Sequence, residues 1–287
     1  MIMANINSSL PVKEYGGKGE SIYFLHANGY PPDCYLPLLK KLSDTFHPVA
    51  PLMRPLWDNC PPDSLNDWDP LSNDFNDLLQ SQDVKKAVFI GHSLGSVVGL
   101  RSAFKNPENF QAIILIDPVI FPKAVVYGWC LIKELGLGER MHPLIPATKQ
   151  RRRSFENLDA VYQAYRQKSV FALINDENLR IMIKGMFAPA DGNRVKLVYS
   201  PEWEVRIYYT GLSPETDLWK GLSDLKSPTL IIRGAKSNTF LDSTASKVRK
   251  MNPDIQVAVV EQSTHLVPLE RPDDVSRLIL DFLEKIK

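Results

Sequence analysis

Residues 88–95 read Val-Phe-Ile-Gly-His-Ser-Leu-Gly, an apolar run that enters Gly91-x-Ser93-x-Gly95 and continues into a helix-like stretch from Ser96 to Ala103. No other feature restricts the fold as much. A strand that passes into a helix through so few residues needs a very tight turn, and Gly91 and Gly95 have no Cβ to clash across it. Ser93 then stands at the tip in a strained backbone conformation with its Oγ exposed. The positive end of the helix behind it favours negative charge developing there.

The surrounding pattern fits such a turn. Short apolar strands are expected at 21–25, 47–50, 87–90, 112–116, 229–234 and 255–260, with a short edge strand at 11–15. Helices are expected at 35–42 and 70–80, the latter with Leu71, Phe75, Leu78 and Leu79 on one face, and at the carboxyl end after Pro272. Residues 52–70, rich in Pro, Asp, Asn and Trp, read as loop. Run 112–116 is apolar throughout, as a strand covered on both faces must be. The alternation gives an α/β fold: a mostly parallel, doubly wound sheet flanked by helices.

From Pro118 to about Leu222 that rhythm stops. Leu158, Val161, Tyr162 and Tyr165 make a helical stripe capped by Asn157, and Leu179, Met182, Ile183, Met186 and Phe187 crowd another. The chain thus divides into a core of 1–117 and 223–287 and a helical insertion of 118–222. Its aromatic and Met side chains read as core packing, with some facing a largely apolar pocket.

A chain of 287 residues with net charge +1 suits one domain and excludes strong attraction to nucleic acid or an anionic membrane. The one basic run, Arg151-Arg152-Arg153, reads as a solvated loop or lid surface, with a phosphate or carboxylate contact as the alternative. Cys34, Cys60 and Cys130 are widely spaced, which suits a reducing cytoplasm. Residues 1–7 lack the pattern of a secretory leader, 284–287 are no retention tail, and no apolar run reaches a membrane span. No metal-ligand cluster and no nucleotide fingerprint occurs, so neither metal nor cofactor is expected.

The first long strand ends in His26-Ala27-Asn28-Gly29, and the last is followed by Glu261-Gln262-Ser263-Thr264-His265. With the order Ser93 then His265, the chain resembles the α/β-hydrolase superfamily over nearly its whole length. The resemblance implies a nucleophile elbow at 91–95, an oxyanion loop at 25–29, His265 as general base, a cap over the nucleophile, and oxyanion donors at the N–H groups of Leu94 and Asn28. Among the other histidines, His92 is expected to pack beside the sheet, His26 to brace the oxyanion loop, and His47 and His142 to be surface or loop residues.

The acid departs from the commonest family pattern. Where the family usually places an Asp after the strand ending in Gly234, the chain has Asn238, and an amide carries no charge to stabilise an imidazolium. Asp117, directly after strand 112–116, is the favoured acid, because some members carry theirs there. Asn238 itself and Asp242 are the alternatives. The expected activity is serine hydrolysis of a small ester, thioester, lactone or amide, or of a carbon–carbon bond, on a substrate with an apolar acyl or ring portion. A ligand-binding or signalling protein with a weakened triad, and a cofactor-free oxygenase or haloperoxidase, are the competing readings. Substrate identity, oligomeric state and pathway are not legible at this level.

Overall fold

Odd and even residues of the apolar strands go to opposite sides of one sheet. Ile22, Phe24, Val88, Ile90, Ile114 and Ile232 join one buried cluster, and Tyr23, Leu25, Phe89, Ile113, Leu115 and Ile231 join the other. That two-sided burial explains why these strands are apolar throughout and not alternating. The computed structural model describes residues 10–211 and 216–286; the expected absence of a leader at 1–7, and the last residue of the tail, fall outside the described residues.

The strands are β1 Val12–Glu14, β2 Ser21–Leu25, β3 His47–Pro51, β4 Ala87–His92, β5 Phe110–Ile116, β6 Ser154–Phe155, β7 Phe187–Ala190, β8 Arg194–Leu197, β9 Thr229–Gly234 and β10 Ile255–Val260. Seven form the central sheet in the order β1-β3-β2-β4-β5-β9-β10. Every pairing in it is parallel except that of β1 with β3. Helices Leu36–Leu42 and Pro272–Lys285 cover one side through Leu38, Leu42, Val275 and Ile279. Helices Asp69–Ser81, Leu94–Lys105 and Asp242–Met251 cover the other through Phe75, Val97 and Val248. This is the α/β architecture expected from the strand–helix alternation.

The segment between β5 and β9 is not purely helical. It holds the helices Lys123–Glu134, Leu158–Arg166, Asp176–Met186 and Pro201–Thr210, but also an antiparallel sheet of three strands in the order β6-β8-β7. Phe187 opens β7 and does not extend the helical stripe before it. The turn Asp191-Gly192-Asn193 joins β7 to β8 with φ of 67° at Gly192 and 57° at Asn193. That Asp-Gly-Asn signature was the available signal for a hairpin. Asn157 does cap its helix, accepting from the Ala160 N–H at 2.8 Å. Phe155, Tyr165, Phe171 and Phe187 pack on one another as core. The segment's last helix, Thr216–Asp224, leans on the core beside Asp242–Met251 and runs across the boundary placed at 222.

Loop 52–70 receives this segment. Trp203 Nε1 donates to the Cys60 carbonyl oxygen at 3.1 Å, Arg206 Nε to that of Leu65 at 2.6 Å, and Trp68 Nε1 to that of Ile207 at 3.1 Å. The Pro- and Trp-rich composition therefore serves a packing surface. Among the described residues no helix is long and apolar enough to cross a membrane, and Cys34, Cys60 and Cys130 form no disulfide.

Candidate active site

The ends of β2, β4, β5, β9 and β10 meet at the carboxyl edge of the central sheet. Ser93 follows β4 with φ 55° and ψ −115°, the strained conformation expected at the tip of the turn. Gly95 lets the following helix come close to β2: a Cβ there would stand 2.2 Å from the Leu25 carbonyl oxygen. Gly91 is equally enclosed, with a Cβ 2.6 Å from the Gly95 carbonyl carbon. Ser96 Oγ ties the turn together by donating to the carbonyl oxygens of Gly91 at 2.6 Å and Ile116 at 3.2 Å.

Ser93 Oγ lies 2.9 Å from His265 Nε2, and His265 Nδ1 lies 2.8 Å from Asp117 Oδ1. A carboxylate accepts only, so Nδ1 carries the proton and Nε2 is left to accept from the Ser93 hydroxyl. Asp117 is fully buried and is the residue that reaches the ring. Asn238 is exposed, and its Oδ1 accepts from Thr239 Oγ1 at 3.3 Å. Asp242 starts the next helix and pairs with Arg233. β5 and β9 are parallel neighbours with Ile116 opposite Ile232, so the loops after them begin side by side.

The sequence reasoning missed Ser237. Its hydroxyl donates to Asp117 Oδ1 at 2.6 Å and accepts from the N–H groups of Thr239 and Phe240 at 3.1 Å each. The Gly234 N–H donates to Asp117 Oδ2 at 2.9 Å. The β9 loop thus holds the carboxylate from beneath instead of supplying one. Glu270 was missed as well. It is buried, takes both the N–H and the hydroxyl of Thr264 at 2.6 Å, and fixes the residue just before His265. Burial raises its carboxyl above the usual range.

His92 does more than pack. Its Nε2 donates to the His265 carbonyl oxygen at 2.9 Å and its Nδ1 accepts from Tyr35 at 2.8 Å, whose hydroxyl accepts from the Ala27 N–H at 3.2 Å. This chain of bonds connects the loop after β2 with the backbone of His265. Burial keeps the His92 imidazole neutral, well below its ordinary pKa. His26 braces its loop through Nδ1 and the Ala27 carbonyl oxygen at 2.9 Å, and burial lowers its pKa to about 4.

Asn28 is held by the inserted segment: its Oδ1 accepts from Tyr199 at 2.8 Å and its Nδ2 donates to the Glu204 carbonyl oxygen at 3.1 Å. The side chain is thereby committed. The backbone N–H groups of Asn28 and Leu94 donate to no described residue. The Glu204 carboxylate is 3% exposed, lies against Gly29 and pairs bidentately with Arg151 at 2.7 and 2.9 Å. The basic run is therefore not simply solvated. Arg152 and Arg153 pair with Glu156 and Glu202, and the carboxylates that all three meet are the protein's own. His142 does lie in a loop, half-buried between Trp129 and Tyr208, and burial lowers its pKa to about 4. His47 opens β3 and not a loop; at that partly exposed position it meets the Gly16 carbonyl oxygen at 2.8 Å. Among the described residues no group of His, Cys, Asp and Glu is placed to hold a metal ion.

The sequence model of the Alpha/beta hydrolase family matches residues 22–278. The chain is 25% identical over 280 residues to 2-(acetamidomethylene)succinate hydrolase of Mesorhizobium japonicum, covering 96% of this chain and 92% of that one. The crystal structure of E-2-(acetamidomethylene)succinate hydrolase superposes with a TM-score of 0.78 at 23% identity, covering 95% of this chain and 94% of that one. N-formylmaleamate deformylase of Pseudomonas putida is 21% identical over 201 residues, covering 68% of this chain and 62% of its own.

Proposed function

Because the chain belongs to the alpha/beta hydrolase family and is an enzyme of the hydrolase class, we propose that it cleaves a small ester or N-acyl amide through an acyl-enzyme on Ser93. The observation that carries this is the continuous hydrogen-bond path from Asp117 through His265 to Ser93, with the Leu94 and Asn28 N–H groups donating to none of the described residues. The names of the two curated relatives specify an acetamido and an N-formyl group, which supports an N-acyl substrate. Residues 118–222 act as the cap over the core of 1–117 and 223–287, and the substrate carries an apolar acyl or ring portion.

Ser93 Oγ attacks the carbonyl carbon as its proton passes to His265 Nε2. Asp117 holds the ring in the Nδ1–H tautomer and stabilises the imidazolium. The carbonyl oxygen becomes an oxyanion and takes hydrogen bonds from the Leu94 and Asn28 N–H groups, each such donor being worth about 10²–10³ in rate. Collapse of the intermediate breaks the bond to the alcohol or amine, which leaves with the proton from Nε2. Water then gives a proton to His265 and attacks the acyl-Ser93 ester, releasing the acid and restoring the serine.

Hydrolysis of p-nitrophenyl esters from acetate to dodecanoate tests this reading. Ser93→Ala should abolish turnover, Asp117→Asn should lower it by on the order of 10⁴, and Asn238→Ala should leave it near wild type. Full activity in Ser93→Ala, or a collapse confined to Asn238→Ala, would sink the assignment.

A further inference from the structure

Helix Lys123–Glu134 is apolar on both sides. Its inner side carries Val126 and Trp129, both buried, and Trp129 Nε1 donates to the Gly211 carbonyl oxygen at 3.2 Å. Its outer side carries Tyr127, Leu131 and Leu135, each 58–64% exposed. At about 100° per residue these three share one stripe with Ala124 and Gly128. A Cβ at Gly128 would meet nothing within 4 Å. Just beyond the helix the chain turns back on it, Leu137 N–H donating to the Ile132 carbonyl oxygen at 3.0 Å. Seven of the eleven exposed large apolar side chains among the described residues lie between 125 and 144. A helix with apolar stripes on two opposite sides is ordinarily covered on both, and so concentrated a patch marks an interaction surface.

The charges at the helix ends indicate the occupant. Lys123 and Glu134 pair with no other described residue. Each stands at the end of the helix dipole that disfavours it, the cation at the N-terminus and the anion at the C-terminus. Eleven residues, about three turns, separate them, so both project on the same flank of the apolar stripe. A twofold axis perpendicular to the helix near Gly128 lays a second copy antiparallel on the first. Lys123 then faces the partner's Glu134, and Glu134 the partner's Lys123. Each charge also meets the favourable end of the partner's dipole. Tyr127 and Leu131 of both copies fill the middle, and Gly128 lets the backbones approach. Such self-complementarity is what an isologous contact requires. A lipid surface would match the apolar stripe but would set Glu134 against anionic headgroups.

We infer that helix Lys123–Glu134 is the contact surface of a twofold homodimer of this chain, formed by two copies of the segment between β5 and β9. Sedimentation equilibrium between about 1 and 100 μM should give twice the chain mass of 32.5 kDa. Leu131→Asp, at an exposed position, should sediment as monomer and keep the wild-type far-ultraviolet circular dichroism, its unfolding midpoint falling only by what loss of association removes. Lys123→Glu should weaken association about tenfold or more, and Lys123→Glu with Glu134→Lys should restore it. A wild type that stays monomeric throughout, a dimer that survives Leu131→Asp, or a charge swap that fails to rescue would each overturn the inference. So would a monomeric wild type that floats with phosphatidylglycerol vesicles, which would assign the patch to lipid instead.

Discussion

Asp117 receives three hydrogen bonds, from His265 Nδ1, the Ser237 hydroxyl and the Gly234 N–H, and is fully buried. A buried carboxylate is tolerable only when satisfied in this way. Burial has a different consequence at His26, which has a pKa of about 4 in place of 6.5. Between these values the unfolded chain binds more protons than the folded one. The His26 contribution is therefore fully present above pH 6.5 and is lost as the pH falls toward 4, amounting to roughly 3 kcal/mol. His92 acts in the same direction. The raised carboxyl of Glu270 acts in the opposite one, since its folded form holds a proton that the unfolded form releases as pH rises above 4.5. The thermal midpoint should fall on acidification from pH 6.5 to 4, and His26→Asn should flatten that fall; calorimetry across this range that shows identical acid limbs would remove His26 as the cause.

Helix Leu94–Lys105 shows how one small residue sets the placement of an element. A Cβ at Gly95 would meet Leu25 and His26 carbonyl oxygens at 2.2 and 2.8 Å, both backbone atoms with no room to yield. Gly95→Ala must push the helix from β2, which moves Ser93 away from His265 together with the Leu94 N–H. The expected result is a loss of about 2 kcal/mol in stability and a fall in hydrolase turnover larger than the loss of folded protein explains. Denaturant titration and active-site labelling with a fluorophosphonate separate the two effects. The hairpin of β7 and β8 is hidden in the sequence for the converse reason. Its strands have four residues each and Pro189 interrupts one of them, so no period of two could emerge beside the strong helical stripe before it.

The inserted segment and the core meet at Asn28. Tyr199, remote in sequence, supplies the hydroxyl that fixes the Asn28 side chain, and the Glu204 backbone fixes its amide. The loop that carries the Asn28 N–H is thus held by a side chain from the inserted segment. Tyr199→Phe removes one oxygen and leaves Asn28 Oδ1 short of a donor, a cost of about 1–3 kcal/mol. On a p-nitrophenyl ester the change should lower kcat about tenfold or more while KM stays within about twofold, because the loop matters most when negative charge develops. An equal change in both constants would mean that Tyr199 only shapes the binding cavity.

The backbone geometry of the elbow was written in three residues: Gly91, Ser93 and Gly95 allow a single tight strand-to-helix turn, and steric exclusion is local, so it could be read without a structure. The strands were legible because two-sided burial makes them apolar along their length. Ser93, His265 and Asp117 could be named from their places after strands, but the acid stayed open between neighbouring loops. What only folding decided is which of them lies against the His265 ring: Asp117, with φ 43° after β5, does, while Ser237 and Gly234 of the neighbouring loop donate to it. Tyr199, Glu204, Glu270 and Ser237 had no sequence signal at all. Each acts through a hydrogen bond to a residue brought near by folding, and a pairing over such separations leaves no trace in periodicity or spacing.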